Sequence, residues 1–281
     1  MTKILLIETS TALTSVALAY GEEIVFYKDD AGARRQAALT APFIKEALDS
    51  QGLKASGLDA VCVGMGPGSY TGLRVGVSSA KGLCFGAGVP LLAVGTLDIL
   101  ASQALSSLSG GAPSGTLASL SGGSLDTLAS QSPSSLSGGA PSGRAFPLCE
   151  GSSAEVVSPS LPEGLHRIVP VLDARRMEVY TAEYSPEGRR LTDVHAQVVE
   201  AGTFDAFLSE GPVLFVGDAA PKCEAVIRHP NAHFLTALPS ARVMLRPALA
   251  EFSAGNWRDT AYFEPFYLKD FVATVSRKKL F

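Results

Sequence analysis

One order of segments occurs twice in this chain of 281 residues: a strand, an acidic residue, a turn, two more strands and then a helix. In the first half the acidic residue is Glu8, which follows an apolar run at residues 4–7. In the second half it is Asp173, which follows an apolar run at residues 167–172. This repetition predicts two lobes that are built alike.

Further strands alternate with helices in the first half. Apolar runs at residues 58–63 and 90–94 flank a predicted helix at about residues 70–85. This alternation indicates an α/β fold with a partly parallel, mixed sheet in each lobe. With 46% hydrophobic residues, the chain has ample material for a sizeable core.

A stretch of low complexity separates the two halves. LDILASQALSSLSGGAPSG at residues 97–115 returns at residues 125–143 with only three changes, which indicates a tandem duplication. Two copies are too few for a solenoid, so the stretch is either a flexible surface insertion or a serine-rich binding segment. The predicted domains are therefore a first lobe at 1–102, an insertion at 103–145 and a second lobe at 146–281.

Charge and cysteine usage exclude several classes of protein. The net charge is -4 and the pI about 5.6, so strong binding of nucleic acid by this chain alone is not expected. Cys62, Cys84, Cys149 and Cys223 form no C-x-x-C pair, and buried reduced thiols are expected rather than a zinc site or disulfides. No signal peptide or membrane span is predicted, and a soluble, cytoplasmic protein is expected.

Two segments are candidates for phosphate or nucleotide binding. Glu8, Thr9 and Ser10 combine a carboxylate, hydroxyls and backbone N–H groups, which suit a phosphate or Mg²⁺, although Thr and Ser also simply favour turns. The glycine-rich loop at residues 64–68 joins a strand to a helix, and free N–H groups there suit an anion. The loop lacks the G-K-[ST] ending of a P-loop, and a tight packing turn explains it equally well. The candidates in this second segment are Gly66, Gly68, Ser69 and Thr71.

The first two predicted helices, at residues 37–48 and at about 70–85, are candidates for a partner surface. The second has small residues along much of its length, and the first is more apolar than one buried face requires. Tight internal packing and a docking surface for another helical protein both explain this pattern. The predicted interface residues are Leu39, Phe43, Ala47, Leu73, Arg74, Val77, Ala80 and Lys81.

No catalytic or metal-binding set stands out. His229 and His233 have the spacing of metal ligands on a helix, but Pro230 lies between them and favours a loop. No Ser/His/Asp or Cys/His arrangement is evident. The sequence therefore predicts no catalytic residue and no metal site.

Several motifs together resemble the TsaB/YeaZ family. They are ILLIETSTALTSVAL, GMGPGSYTGLRVGVSSAKGL, PLLAVGTLDIL, VLDARRMEVYTAEY and FEPFYLKDF, and they occur in both lobes. The resemblance implies the two-lobed fold shared by actin, sugar kinases and Hsp70. It also implies a non-catalytic subunit in the synthesis of threonylcarbamoyladenosine, next to the tRNA anticodon.

The resemblance further implies partners. The expected ones are the transferase TsaD, which this chain would bind and activate, and the ATPase TsaE. Transfer RNA would be bound only through the complex, and the free chain would form a homodimer through the same two helices. No cofactor is expected to bind tightly, although ATP or ADP could lie at the subunit interface. TsaD holds its metal with H-x-x-x-H, and Thr96 and Leu100 occupy those positions here.

Some residues depart from the family pattern. Arg34, Arg35 and Gln36 stand where a histidine is usual, and the second lobe keeps only Val216-Gly217-Asp218 of a fuller glycine motif. The duplicated insertion is not a family feature. Two alternatives remain open, a sugar-kinase-like phosphotransferase that would use Glu8 and Asp173 and a glycoprotease-like peptidase.

Overall fold

The computed structural model describes residues 1–32, 34–108 and 164–269. Two five-stranded mixed sheets form its framework, one in each half of the chain. The predicted α/β fold with a mixed sheet in each lobe is confirmed. Among the helices within these ranges, none has the length and apolar character that crossing a membrane requires.

The first sheet has the strand order β3-β2-β1-β4-β5. β1 pairs antiparallel with β2 and parallel with β4, so β1 is the central strand, where a hairpin meets a parallel unit. Its strands are β1 Lys3–Glu8, β2 Thr14–Tyr20, β3 Glu23–Asp30, β4 Ala60–Gly66 and β5 Leu91–Gly95.

Helices cover both faces of this sheet because successive side chains of each strand point to opposite sides. Leu5 and Ile7 of β1 face α1 (Gln36–Ser50) and α2 (Tyr70–Ala87), which pack against each other. Ile4 and Leu6 face the opposite side, where α6 and part of α3 lie. α3 spans Thr96–Leu108 and α6 spans Leu245–Ser253.

The second sheet has the order β10-β9-β6-β7-β8, with the same central position for its first strand. β6 pairs parallel with β9 and antiparallel with β7. Its strands are β6 Arg167–Asp173, β7 Glu178–Thr181, β8 His195–Val198, β9 Val213–Gly217 and β10 Ala232–Thr236, and its short helices are α4 Asp205–Leu208 and α5 Ala220–Glu224.

α3 joins the two sheets. Leu97 and Leu100 on this helix pack with Ile168, Leu172 and Leu214 of the second lobe in one apolar cluster. Residues 103–108 of the predicted insertion continue this helix, and the rest of the insertion lies outside the described residues.

Several predicted elements are shorter in the structure. The pattern of residues 190–199 predicts a third strand, but a regular strand forms only at His195–Val198. Before it, Arg190 forms an isolated bridge with Tyr184, and the hydroxyl of Thr192 accepts the hydrogen bond of the Glu183 N–H in place of a ladder contact. The pattern of residues 240–254 predicts one helix, but a 3₁₀ turn at Ala241–Met244 precedes α6. His233 lies in β10 and His229 precedes that strand, so their spacing does not place them on one helix face.

Candidate functional site

The loop between β1 and β2 lies at the carboxyl end of β1, between the end of β4 and the first turn of α2. Glu8, Thr9 and Ser10 have no exposed surface in the described chain. The Thr9 hydroxyl donates to the carbonyl of Gly72 at 2.8 Å, and the Ser69 N–H donates to the carbonyl of Ser10 at 2.6 Å. This loop therefore fills the space in front of the α2 N-terminus.

The glycines of the loop and of α2 permit this close approach. An added Cβ would lie 2.0 Å from the Thr9 carbonyl oxygen at Gly72, and 2.3 Å from the Thr9 hydroxyl at Gly76. At Gly68 it would lie 2.3 Å from the Ser10 carbonyl oxygen. No other residue fits at such distances, so internal packing accounts for these glycines.

The residues predicted to bind a phosphate differ in their exposure. Glu8, Thr9 and Ser10 are sealed inside the chain, and Gly66 is buried as well. Ser69 and Thr71 are exposed, but the Ser69 hydroxyl accepts from the Gly72 N–H at 3.3 Å and caps α2. A phosphate at this helix end would have to displace the loop of the chain itself.

Glu8 is the most perturbed carboxyl of the first lobe. Burial raises the pKa of Glu8 to about 7, and the Ser10 N–H, which donates to Oε1 at 2.6 Å, offsets only part of that rise. The other oxygen, Oε2, has no hydrogen-bond partner among the described residues and faces Gly64. Burial therefore favours the neutral form of this carboxyl well above the pH at which an exposed glutamate ionises.

Asp173, the corresponding acid of the second lobe, has a different environment. Its side chain is exposed and forms an ion pair at 2.5 Å with Lys222. The Lys222 ammonium also donates to the carbonyl oxygens of Arg176 at 3.1 Å and Glu178 at 2.7 Å, which fixes the β6–β7 turn. Since Glu8 is sealed and Asp173 is paired, the two acids do not form the catalytic pair that a phosphotransferase would need.

Thr96 and Leu100, which stand at the H-x-x-x-H positions that the resemblance implies, lie inside the chain. Thr96 is fully buried at the start of α3, and Leu100 belongs to the apolar cluster between the lobes. The described residues contain no group of three or more His, Cys, Asp or Glu side chains placed to hold a metal ion.

Three of the predicted interface residues are at least partly exposed, and the other five are buried. Leu39 is partly buried, while Arg74 is exposed and its guanidinium lies over the ring of Tyr70 at 5.2 Å. The ammonium of Lys81 donates to the carbonyls of Ala261 and Phe263. It therefore holds the segment that follows α6, residues 254–269, which is called the C-terminal segment below. The remaining residues pack in the core against the sheet and offer no side chain to a partner: Phe43, Ala47, Leu73, Val77 and Ala80.

A different face of α2 is exposed. Gly82 and Gly86 have no described atom within 4 Å of an added Cβ, in contrast to Gly72 and Gly76. Phe85, between them in sequence, has 87% of its surface exposed. Phe85 and Gly86 are not among the predicted interface residues, although the spacing of the core-facing residues of α2 already excludes both positions from the buried stripe.

Comparison with known proteins gives concordant results. The family model described as tRNA N6-adenosine threonylcarbamoyltransferase, TsaD, matches residues 31–135. The chain is 39% identical over 101 residues to the tRNA threonylcarbamoyladenosine biosynthesis protein TsaB of Haemophilus influenzae, which covers 36% of this chain and 42% of that protein. It is 34% identical over 102 residues to the Escherichia coli protein of the same name, covering 36% and 44%. The matched stretch thus spans less than half the length of these curated relatives.

A solved structure matches over nearly the whole chain. YeaZ from Pseudomonas aeruginosa aligns with a TM-score of 0.66 at 24% identity, covering 95% of this chain and 100% of that one. At this identity the likeness concerns the fold, and it agrees with the two mixed sheets described above.

Proposed function

We propose that this chain, which is similar to TsaB proteins in sequence and to YeaZ in fold, is the non-catalytic subunit that binds and activates a TsaD-type transferase in the synthesis of tRNA threonylcarbamoyladenosine. The sealed loop at Glu8 to Ser10 supports a role without chemistry of its own. Contact with a second subunit must then carry the function, and the exposed face of α2 is the surface proposed for it.

The observation that carries this proposal is the pair of open glycines on α2. A glycine inside a helix destabilises it by about 1 kcal/mol relative to alanine. Close contacts with Thr9 explain why positions 72 and 76 are glycine, but nothing in the described chain requires glycine at positions 82 and 86. Close approach of a partner helix to the α2 backbone would explain glycine at these two positions. The exposed ring of Phe85 adds apolar surface beside them.

α1 extends the same surface. It packs beside α2, and its exposed positions include four with small apolar side chains, Ala37, Ala38, Ala41 and Pro42. Two neighbouring helices with small exposed residues form a face on which two helices of a partner can pack. We propose the same face for a homodimer of the free chain, so that dimer and heterodimer compete.

The remaining partners follow from this arrangement. TsaE would join the heterodimer, and tRNA would bind through the assembled complex, in keeping with the net charge of -4 on this chain. A nucleotide, ATP or ADP, would lie at the subunit boundary, because the loop at Glu8 to Ser10 occupies the space in front of the α2 N-terminus.

Substitution of Gly82 tests the surface. In Gly82→Arg the new side chain enters open space in the free chain, so the fold is retained, while a partner helix can no longer approach. Binding to TsaD, measured by calorimetry, is expected to weaken at least tenfold. Ala250→Arg, at an exposed position on α6, is the matched control and should bind nearly as the wild type does. If Gly82→Arg binds TsaD as the wild type does, the interface lies elsewhere on the chain. The proposed function itself would not be refuted by that result.

Reconstitution tests the function itself. TsaD, TsaE, tRNA, ATP and the threonylcarbamoyl donor are combined with and without this chain, and modified adenosine is quantified. The proposal requires that modification depends on this chain and that the chain alone produces none. Equal modification in its absence would refute the proposed function.

A further inference from the structure

A cavity lies where the two lobes and the C-terminal segment meet. It has a volume of about 310 Å³, close to the lower limit of small-molecule pockets. The first lobe contributes the ends of β4 and β5 and the start of α3, and the segment before β8 contributes the opposite side. The cavity is separate from the exposed face of α2, and the inference below does not depend on the proposed function.

The apolar part of the wall suits a small aliphatic group. Met65 and Leu97 come from the first lobe, Val194 from the second and Phe266 from the C-terminal segment. The position of Phe266 is fixed, since its N–H donates to the Met65 carbonyl at 2.8 Å. The wall is therefore built from rigid elements rather than from a free chain end.

Three charged side chains line the same cavity. Asp98 is held in place by the hydroxyl of Tyr184, which donates to Oδ1 at 2.7 Å. Arg190 approaches Asp98 only to 3.8 Å, beyond hydrogen-bonding distance, and this is its only ion pair among the described residues. The carboxylate of Asp193 has no hydrogen bond or ion pair with a described residue, so a donor and an acceptor remain available.

The segment that carries Arg190 and Asp193 is itself ordered by backbone contacts. Arg190 forms a β-bridge with Tyr184, and the Leu191 N–H donates to the Glu183 carbonyl at 2.7 Å. The charged groups are thus presented on a fixed backbone, which lowers the entropic cost of binding a ligand.

We propose that this cavity binds a small zwitterion, an α-amino acid with an aliphatic side chain. The guanidinium of Arg190 binds its carboxylate, the carboxylate of Asp193 binds its ammonium group, and the apolar wall takes the side chain. Arg favours carboxylates because its planar fork donates two parallel hydrogen bonds. Asp98 beside the guanidinium keeps the site from accepting a simple anion, since it adds a second negative charge.

The experiment compares one amino acid with its two halves. L-leucine, isoamylamine, which lacks the carboxylate, and isocaproate, which lacks the ammonium group, are titrated at millimolar concentrations into the full chain. Binding is followed by calorimetry and by chemical shifts of the cavity residues. L-leucine is expected to bind at least tenfold more tightly than either half, and Arg190→Gln and Asp193→Asn are each expected to weaken it by about tenfold or more.

Matched substitutions outside the cavity complete the design. Asp49→Asn on α1 and Arg246→Gln on α6 remove the same charges from exposed positions that do not line it, and they should leave L-leucine binding unchanged. Binding of isoamylamine or isocaproate as tight as that of L-leucine would overturn the zwitterion proposal. So would the absence of saturable binding of L-leucine, or binding that both cavity variants leave intact.

Discussion

Replacement of Glu8 by glutamine tests how this sealed carboxyl affects stability. The pKa of Glu8 is about 7 in the folded chain, against an ordinary value of 4.5. The folded state therefore binds the proton more tightly than the unfolded state does, and stability falls as the pH rises from 4.5 to 7. Since one pKa unit corresponds to about 1.36 kcal/mol, the full loss is about 3 kcal/mol, of which about 2.5 kcal/mol falls between pH 5 and pH 8.

Glutamine cannot ionise, so Glu8→Gln removes this dependence. Its carbonyl oxygen can still accept from the Ser10 N–H, as Oε1 does now, and its amide meets the same partnerless space as Oε2. The stability advantage of the variant over the wild type should grow by about 2.5 kcal/mol between pH 5 and pH 8. Other titrating groups cancel in this difference because both proteins contain them.

Urea unfolding, followed by circular dichroism at a series of pH values, gives the free energy of unfolding for both proteins. A matched control is Asp49→Asn, which removes an exposed carboxyl on α1 and should show no comparable change with pH. If the stability difference between Glu8→Gln and the wild type is the same at pH 5 and pH 8, the conclusion that burial raises the pKa of Glu8 is refuted.

Three further predictions concern packing and reactivity. Gly72→Ala should destabilise the chain by about 2 kcal/mol because its Cβ meets the Thr9 carbonyl, whereas Gly82→Ala in the same helix should stabilise it by about 1 kcal/mol, as urea unfolding would measure. Tyr184→Phe should cost about 1 to 3 kcal/mol, since it removes the hydroxyl that donates to Asp98, and an unchanged urea midpoint would contradict this. In a Cys149→Ser variant the three buried thiols should not react with a disulfide reagent at pH 8 until the chain unfolds, because burial raises the pKa of Cys62, Cys84 and Cys223; prompt reaction in the folded state would contradict it.

The fold was largely predictable from the sequence because its signals are local. Apolar runs of strand length, ended by Glu8 and by Asp173, locate the central strands of both sheets. Weaker elements were misjudged where tertiary contacts replace regular pairing. Before β8, for example, the hydroxyl of Thr192 accepts the hydrogen bond of the Glu183 N–H in place of a strand contact. No local sequence pattern predicts such a hydrogen bond.

The site was less predictable because the same residue types serve opposite purposes. A glycine-rich loop before a helix suits a phosphate, but it equally suits the close approach of another loop, and only the contact of Gly72 with Thr9 decides between them. Likewise, α2 contains glycines that face inward and glycines that face solvent. Helical spacing separates the two faces, but it does not reveal what lies in front of each.

The two kinds of glycine in α2 lead to one account of how the chain can act on a partner. Gly72 and Gly76 let the loop at Glu8 to Ser10 lock the first turns of α2 against the sheet, so the helix is a rigid element. Gly82 and Gly86 leave the later turns of the same rigid helix open. On the proposed function, a partner helix that packs there meets a surface already fixed in shape, which keeps the entropic cost of association low. A substitution that loosens the sealed loop should therefore weaken partner binding even though it lies at the other end of the helix.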